Sequence, residues 1–336
     1  MIKFADVVVD LQAGDTGKGK VTHSLCKTGD YTTVIRYNGG GNAGHTIYHN
    51  DKKFVTHLIP CGVLYGIKSI IGPGCVVNID KLFEEINELE SNGIKVDGNL
   101  FVDKRVHIIT KSHIEEDSKD TEIGTTKTGN GPSYRDKYYR VGVRAENNSR
   151  LNDRNMVIDI YDELYGNNEV SILFEGAQGF ELDIDWGDYP YVTSSHCTVG
   201  SAVLNGVPPQ KIRKVYGIAK AYRTYVGLKS FEGKSEYFEK IRQEGGEFGA
   251  TTGRPRQVNW LNVDDIIKSI NINGVTNLIF NKIDILEKVG VFNLIYNNVI
   301  YTYDNSDEMQ ENIKNFISNH TELKENIIFS KTPYGI

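Results

Sequence analysis

Short apolar runs alternate along the chain with longer segments whose apolar residues recur at helical spacing. The apolar runs predict strands at 6–10, 32–37, 68–72, 170–174, 214–222, 276–281, 291–296 and 326–330. The helical spacing predicts helices at 80–92, 154–165, 263–272 and 307–319. Asp80 is placed to cap the first of these helices. Strands that alternate with helices are typical of an α/β fold around a mostly parallel, twisted sheet.

Two glycine-rich segments follow predicted strands. The first, 14–20, reads GDTGKGK, and its glycines let backbone N–H groups turn toward an anion where a helix begins. Its spacing is not that of a Walker A loop. Asp15 would repel a phosphate, so its presence indicates a bound cation or a base beside the phosphates. The second segment, 38–46, contains His45, which could stabilise or protonate a leaving phosphate.

A polar stretch at 115–135 separates two more regular parts of the chain. It contains the sequence GTT at 124–126 and GNGP at 129–132. Structureless connections of this length are usually functional or disordered. We therefore expect a ligand-binding loop in this stretch.

The composition excludes several classes of protein. The 336 residues carry 38 lysines and arginines against 44 aspartates and glutamates, a formal net charge of −6, so we expect no nucleic-acid partner. No apolar run approaches the length of a membrane span, and no secretion signal precedes the first predicted strand. The 4 cysteines form no CxxC pair, which is typical of reduced thiols in a cytoplasmic protein.

Five segments together carry a resemblance to a known family. In chain order they are 14–20, 40–46, 174–179, 189–195 and 248–254. These segments resemble the motifs of the adenylosuccinate synthetases, and the resemblance extends from about residue 5 to about residue 290. It implies a single catalytic domain over 1–336 with the P-loop-NTPase-like fold of that family.

The resemblance implies a carbon–nitrogen ligase of purine biosynthesis. That family joins L-aspartate to C6 of IMP at the expense of GTP, through a 6-phosphoryl nucleotide, and releases adenylosuccinate, GDP and phosphate. By the same resemblance, Asp15 is the base and His45 its acid partner at the phosphates. Asp15 and the carbonyl of Gly44 match the family's Mg²⁺ ligands, and hard oxygen donors suit that ion.

The remaining site residues are implied by position within the family motifs. Phosphate and nucleotide binding falls to Gly14, Thr16, Gly17, Lys18, Gly19, Lys20, Asn42, Gly44, Thr46, Thr125, Thr126, Arg140, Gln178, Thr193, Lys282, Asp284 and Ser330. Aspartate binding falls to Thr251, Thr252, Arg254 and Arg256. In this family, the arginine at the position of Arg140 reaches the nucleotide of a partner subunit, which implies a homodimer with shared sites. Asp284 could pair with N1–H and the 2-amino group of guanine, which adenine lacks.

The chain also departs from the usual family pattern. Thr16 stands where an acid is usual, Ala13 where a tryptophan is usual, and Thr128 where an arginine is associated with aspartate binding. The Pro-Phe-Pro-Thr pattern expected after Gly227 is absent. The chain is also shorter than most members of the family.

The segment 10–19 resembles a phage branch of the family as well. That branch joins aspartate to dGMP on the way to 2-aminoadenine DNA, which leaves GMP or dGMP, and ATP or dATP, as alternative substrates. Its members typically lack the acid kept here as Asp15, and often lack the Asn-Lys-x-Asp motif found here at 281–284. Both features favour IMP and GTP. A nucleotide-binding regulator without catalysis is disfavoured, because Asp15, His45 and Arg254 are all present.

Overall fold

Seventeen strands and eleven α-helices form the regular structure of the computed structural model, which describes residues 1–49, 52–249 and 253–332. The strands are β1 (Ile2–Asp10), β2 (Thr33–Arg36), β3 (His45–His49), β4 (Lys52–Thr56), β5 (Lys68–Ile71), β6 (Val76–Val77), β7 (Leu100–Asp103), β8 (His107–Ile108), β9 (Val157–Ile158), β10 (Val170–Glu175), β11 (Ile212–Lys220), β12 (Tyr222–Tyr225), β13 (Gln257–Asn262), β14 (Asn277–Asn281), β15 (Asn293–Tyr296), β16 (Val299–Thr302) and β17 (Ile327–Phe329).

The helices connect these strands. They are α1 (Lys18–Lys27), α2 (Ile79–Ser91), α3 (Lys111–Asp117), α4 (Asn130–Tyr139), α5 (Ser149–Asp153), α6 (Ile160–Tyr165), α7 (Val199–Val203), α8 (Tyr237–Gly245), α9 (Val263–Asn273), α10 (Ile283–Val289) and α11 (Ser306–His320). Short 3₁₀ helices span Cys61–Tyr65, Ala145–Asn147, Phe180–Leu182 and Pro209–Lys211. Among the described residues, no helix has the length and apolar character needed to cross a membrane.

Nine strands form one sheet in which every neighbouring pair is parallel. Their order is β17-β14-β11-β1-β10-β2-β5-β7-β9. The interior strand β1 is buried on both faces, because Val7 and Val9 pack in one apolar cluster while Val8 packs in the other. Strands buried in this way have continuous apolar sequences, which is why the sequence predicts them. The expected α/β fold with a mostly parallel sheet is confirmed.

Smaller sheets lie outside this frame. The four strands β12-β13-β15-β16 form a mixed sheet. Strands β3 and β4 pair as an antiparallel hairpin that begins at His45. The sequence analysis did not predict this hairpin, although Ile47 and Phe54 are buried in it and alternate with more polar neighbours.

Two local predictions are wrong, and the loop of a third is shorter than the stretch in which it was predicted. The segment 154–165 is not one helix, because β9 lies within it and pairs with β7 before α6 begins. Asn78 rather than Asp80 caps α2, and Asp80 lies in the first helical turn. Of the polar stretch 115–135, only 118–129 is a loop, because α3 and α4 extend into it from both sides.

Candidate active site

Five adjacent strands of the large sheet end in polar or charged residues at the same edge. In sheet order these are Asn281, Lys220, Asp10, Glu175 and Arg36, the last residues of β14, β11, β1, β10 and β2. All five are buried. Parallel strands bring their carboxyl ends to one edge, and ligands of α/β proteins bind at that edge. The glycine-rich segments 14–20 and 38–46 both lie just beyond these strand ends.

The loop 14–20 turns at Gly17 and enters α1. Gly17 has a φ of 97° and immediately precedes the helix, which is 10 residues long. A side chain at Gly17 would lie 2.7 Å from Asn281 Nδ2, and that amide donates to the carbonyl of Thr16 at 2.7 Å. The loop is thereby held against the end of β14, with free backbone N–H groups at a helix N-terminus. This geometry suits a phosphate.

His45 lies beside the first turn of α1 and contacts the buried ion pair of Arg36 and Glu175. Its Nδ1 lies 2.7 Å from Glu175 Oε1, and Arg36 donates to the same oxygen at 2.9 Å. Burial, and after it the Arg36 guanidinium, lowers the pKa of His45 to about 4. The imidazole is therefore neutral at pH 7 in the absence of ligand. A Cβ on Gly19 would lie 3.0 Å from the His45 Cβ, so glycine permits this close approach.

Asp15 links the loop 14–20, which we call the phosphate loop after its predicted role, to residues at the ends of the segment 247–256. Its carboxylate lies 2.8 Å from Arg256 Nη2. Arg256 also pairs with Glu247 at 2.5 Å, and Glu247 pairs with Lys220 at 3.1 Å. Burial alone would raise the pKa of Glu247, but Lys220 and Arg256 lower it to about 2. The four side chains form a continuous row of alternating charges that joins two predicted substrate loops.

The loop 118–129 meets the predicted aspartate-binding loop. Asp120 accepts the backbone N–H groups of Gly124 at 2.9 Å and of Thr125 at 3.3 Å. Arg254 donates to the Gly124 carbonyl at 3.4 Å. The loop that carries the predicted nucleotide-binding residues Thr125 and Thr126 is therefore in contact with a residue predicted to bind aspartate.

Asn42 and Gln178 meet on another side of the phosphate loop. Gln178 Nε2 donates to Asn42 Oδ1 at 2.8 Å, and a Cβ on Gly14 would lie 3.7 Å from the Gln178 backbone. The Gln178 Oε1 is buried and accepts no hydrogen bond from the described part of the chain. A buried acceptor of this kind is suited to a donor on a ligand.

Three residues predicted to contact the base of the phosphoryl donor, Lys282, Asp284 and Ser330, lie close to Lys20 of the loop 14–20. Lys20 Nζ donates to Ser330 Oγ at 2.8 Å. Burial lowers the pKa of Lys20 to about 8, with Asp284 opposing and Lys282 adding to this shift. Asp284 lies in the first turn of α10, and Lys282 Nζ donates to the carbonyl of Gly245 at 2.8 Å. The phosphate loop is thus continuous with the predicted guanine site.

A cavity of about 520 Å³ opens beside α4, and we call it the basic groove. Its positively charged or titratable lining includes Arg105, His107, Lys137, Arg140 and Arg144, and none of its described lining side chains is acidic. Burial, and after it Lys137, lowers the pKa of His107 to about 4. Arg140 is exposed and ends α4 with a φ of 69°.

The other predicted residues occupy varied positions. Thr16 and Lys18 face inward, 1% and 4% exposed, and both bind Asp10. Thr46 is exposed on β3, next to His45.

Three further predicted residues lie in loops, and two cannot be placed. The hydroxyls of Thr126 and Thr128 are 2.9 Å apart. Thr193 is half-buried, and its N–H donates to the Leu182 carbonyl. Gly44 is half-buried immediately before β3. Thr251 and Thr252 lie outside the described residues.

Comparisons with known proteins identify the family. The family model described as adenylosuccinate synthetase matches residues 7–156 and 149–327. The chain belongs to the adenylosuccinate synthetase family. The adenylosuccinate synthetase of Thermodesulfovibrio yellowstonii is 38% identical over 89% of this chain and 81% of its own length. That of Borrelia turicatae is 36% identical over 95% of this chain and 87% of its own.

Two solved structures share this fold. The fully ligated enzyme from Plasmodium falciparum is similar with a TM-score of 0.84 and 30% identity, over 98% of this chain and 97% of that one. Cyanophage S-2L succinoaminodeoxyadenylate synthetase, bound to dGMP and to dATP as an energy donor, is similar with a TM-score of 0.72. Its identity is 22%, over 96% of this chain and 100% of that one, so it shows the shared fold alone. As a family member, the chain is a carbon–nitrogen ligase of purine biosynthesis that joins aspartate to IMP with GTP.

The sequence analysis missed the charged residues that support this adenylosuccinate synthetase site. They are Asp10, Arg36, Glu175, Lys220 and Glu247. Four of them end buried strands, and a charged residue at the end of an apolar run is a usable signal for the edge where ligands bind. Glu247 follows a helix instead, and only its contacts with Lys220 and Arg256 reveal it.

Proposed function

We propose that Asp15 is the general base of this adenylosuccinate synthetase and that His45 acts at the phosphates of GTP. The observation that carries the assignment is the Asp15–Arg256 ion pair, at 2.8 Å, which brings the acid of the phosphate loop to the stem of the aspartate loop. A base that removes the N1 proton of IMP must lie between the GTP at the phosphate loop and the L-aspartate at the aspartate loop. Such proton transfers contribute roughly 10²–10⁴-fold to a rate.

The chemistry follows from the poor leaving ability of the C6 oxygen. Removal of the N1 proton by Asp15 makes that oxygen nucleophilic toward the γ-phosphorus of GTP, and GDP leaves. The amine of aspartate then displaces the phosphorylated oxygen as phosphate. Arg254 and Arg256 donate to a substrate carboxylate in this scheme, and Arg256, already held by Glu247, also orients Asp15.

His45 begins the cycle as a neutral ring. Its Nδ1 donates to Glu175 in that state, which fixes the ring and leaves Nε2 unprotonated. The phosphates of GTP bring negative charge that opposes the effect of Arg36 and raises the affinity of the ring for a proton. The ring can then stabilise the departing GDP.

The residues around Asp15 also fit a magnesium ion. The Asp15 carboxylate is 36% exposed, and Gly44, in the second glycine-rich segment, offers a backbone carbonyl, so both donors are the hard oxygens that Mg²⁺ prefers. When bound, the ion neutralises phosphate charge during transfer. A second acidic cluster, Asp183 with Asp185 and His196, fits less well, because Asp183 is occupied by three backbone N–H groups.

The other predicted site residues are assigned to IMP, aspartate, the phosphates and the base of GTP. We propose that Asn42, Thr125, Thr126, Gln178 and Thr193 hold IMP, with Thr251 and Thr252 joining Arg254 at aspartate. Gly14, Gly17, Gly19 and Gly44, together with Thr46, shape the phosphate site. Lys20, Lys282, Asp284 and Ser330 surround the base of GTP, and Asp284 selects guanine.

A substrate matrix tests this function. Purified protein is assayed for phosphate release and for the aspartyl adduct, with IMP, GMP or dGMP as acceptor and GTP or ATP as donor. We expect the IMP–GTP pair to dominate, and Asp284→Asn to narrow the preference for GTP over ATP. Dominance of dGMP with ATP would assign the chain to the phage branch instead. Nucleotide binding without turnover of any pair would make it a regulator.

The quaternary state and location complete the proposal. We propose that 1–336 acts as one catalytic unit and forms a cytoplasmic homodimer, with Arg140 serving the nucleotide of the partner subunit. The exposed Arg140 and the acid-free lining of the basic groove support an anionic ligand or a partner at this surface.

A further inference from the structure

The carboxylate of Asp10 accepts hydrogen bonds from two residues of the phosphate loop and from one residue just before it. Asp10 is the last residue of β1 and is 1% exposed. Its Oδ2 accepts the Thr16 hydroxyl at 2.5 Å and the Lys18 ammonium at 2.7 Å, and its Oδ1 accepts the Gln12 N–H at 2.9 Å. The loop is therefore organised around a buried anion that belongs to the protein itself.

Lys18 is the first residue of α1, where phosphate would be expected to bind. Its side chain is nevertheless 4% exposed, and its ammonium is directed to Asp10. A phosphate at this helix N-terminus would face a lysine whose charge is already neutralised. The same loop keeps Lys20 outside this pair, with its ammonium at Ser330.

We propose that Asp10 is an internal counter-anion that competes with the nucleotide phosphates for Lys18 and thereby limits the affinity of the loop for GDP. Asp10 is a positioning residue in this scheme, because it acts through Lys18. The consequence for catalysis is faster release of the spent donor. The inference rests on the proposed GTP-phosphate site at 14–20.

The first test is Asp10→Asn, which keeps the shape and removes the charge. GDP affinity is measured by calorimetry in magnesium buffer, and GTP turnover by steady-state kinetics. We expect the Kd for GDP and the KM for GTP to fall about three- to tenfold, the range for one gained charged hydrogen bond partly offset by the lost pair. We expect kcat to fall as well, because GDP leaves more slowly.

A matched control separates charge from structural damage. Asp103 is another buried acid at the end of a strand in the same sheet, and its carboxylate accepts from Arg105 and from the Ile160 N–H. Asp103→Asn should lower the unfolding midpoint without changing the Kd for GDP. If Asp10→Asn instead binds GDP more weakly than the wild type, and also unfolds at a lower midpoint, the proposal is overturned.

Relocation of the acid provides a test that does not depend on Asp10→Asn alone. Thr16 already bonds the Asp10 oxygen that accepts from Lys18, so Thr16→Glu places a second carboxylate beside the Lys18 ammonium. In the wild-type background this change should weaken GDP binding. Added to Asp10→Asn, it should return the Kd for GDP toward the wild-type value. A combined variant that binds GDP as tightly as Asp10→Asn would overturn the proposal. Failure of the wild type to bind GDP would instead refute the proposed phosphate site.

Discussion

Charged side chains are arranged differently beneath the phosphate loop and in the basic groove. Beneath the phosphate loop, buried ions are matched with ions of opposite sign. The pairs are Asp10–Lys18, Glu175–Arg36 and Glu247–Lys220. In the basic groove, cationic and titratable side chains line a cavity of about 520 Å³, and its described lining contains no acid.

The difference indicates what each side does before ligands arrive. Compensated buried charges hold loops in place without any ligand, because an unpaired buried ion would cost several kcal/mol. In the basic groove, Arg105 and Arg144 pair with acids outside the lining. Lys137 and Arg140 form no ion pair with the described residues, so on a chain with a net charge of −6 these two cations are the ones left to meet an anion from outside. We therefore expect variants beneath the phosphate loop to affect folding and chemistry, and variants in the groove to affect binding and assembly.

The largest effects are expected at the Glu247–Lys220 pair. Glu247→Gln or Lys220→Met alone should cost about 3–5 kcal/mol of unfolding free energy, because each leaves a buried ion without its partner. The combined variant should recover most of that loss. It should still show a raised KM for aspartate, because Arg256 has lost Glu247. Denaturant unfolding and aspartate titrations measure both quantities, and additive stability losses would show that the pair is not coupled.

The next effect concerns Asp15. Asp15→Asn should fold normally and lose about 10²-fold or more in kcat, since an amide cannot accept the N1 proton. Asp30→Asn, at an exposed acid outside the site, is the matched control. A variant of Asp15 that keeps more than about a tenth of the wild-type rate would exclude it as the base.

These predictions also show where sequence reasoning succeeds. Long apolar runs such as 170–174 and 276–281 locate buried parallel strands because both faces need apolar side chains. Glycine-rich motifs such as 14–20 locate a tight loop between a strand and a helix, because few other residues allow the positive φ of Gly14 and Gly17. The segment 154–165 was misread because local periodicity does not reveal that β9 pairs with distant β7.

Pairings across the sheet edge were beyond local sequence reasoning. The ion pair of Arg36 with Glu175 is 139 positions apart in the chain, and it forms because β2 and β10 are neighbours in parallel register. Without the strand order, neither residue has an identifiable partner. The same holds for Arg256, whose second contact at Asp15 lies in another loop.

A smaller, assembly-dependent effect is expected at Arg140. Arg140→Leu should raise the KM for IMP about tenfold, the loss of one charged hydrogen bond, with little change in unfolding free energy. Mixed dimers with Asp15→Asn subunits test the shared site. If Arg140 crosses to the partner, one site carries both defects and the other neither, so mixing restores activity. Absence of recovery, with subunit exchange confirmed by mass, would leave Arg140 in its own subunit.

The smallest effect is a pH dependence located in the basic groove. Burial and then Lys137 lower the folded-state pKa of His107 to about 4, below its ordinary value of 6.5. Between pH 6.5 and 4 the unfolded chain therefore binds a proton that the folded chain does not, so stability falls as the pH falls through this window. Because His107 is only half-buried, its share should stay below about 1 kcal/mol.

His107→Asn removes this titration. Its unfolding midpoint should therefore drop less between pH 7 and pH 5 than that of the wild type, as measured by thermal denaturation in matched buffers. His320→Asn, at an exposed histidine of α11, controls for loss of a surface imidazole and should follow the wild type. If His107→Asn loses as much stability as the wild type over this range, then burial and Lys137 do not oppose protonation of His107. The cationic lining of the basic groove would then have no measurable effect on proton binding, unlike the effect expected from its contrast with the paired ions beneath the phosphate loop.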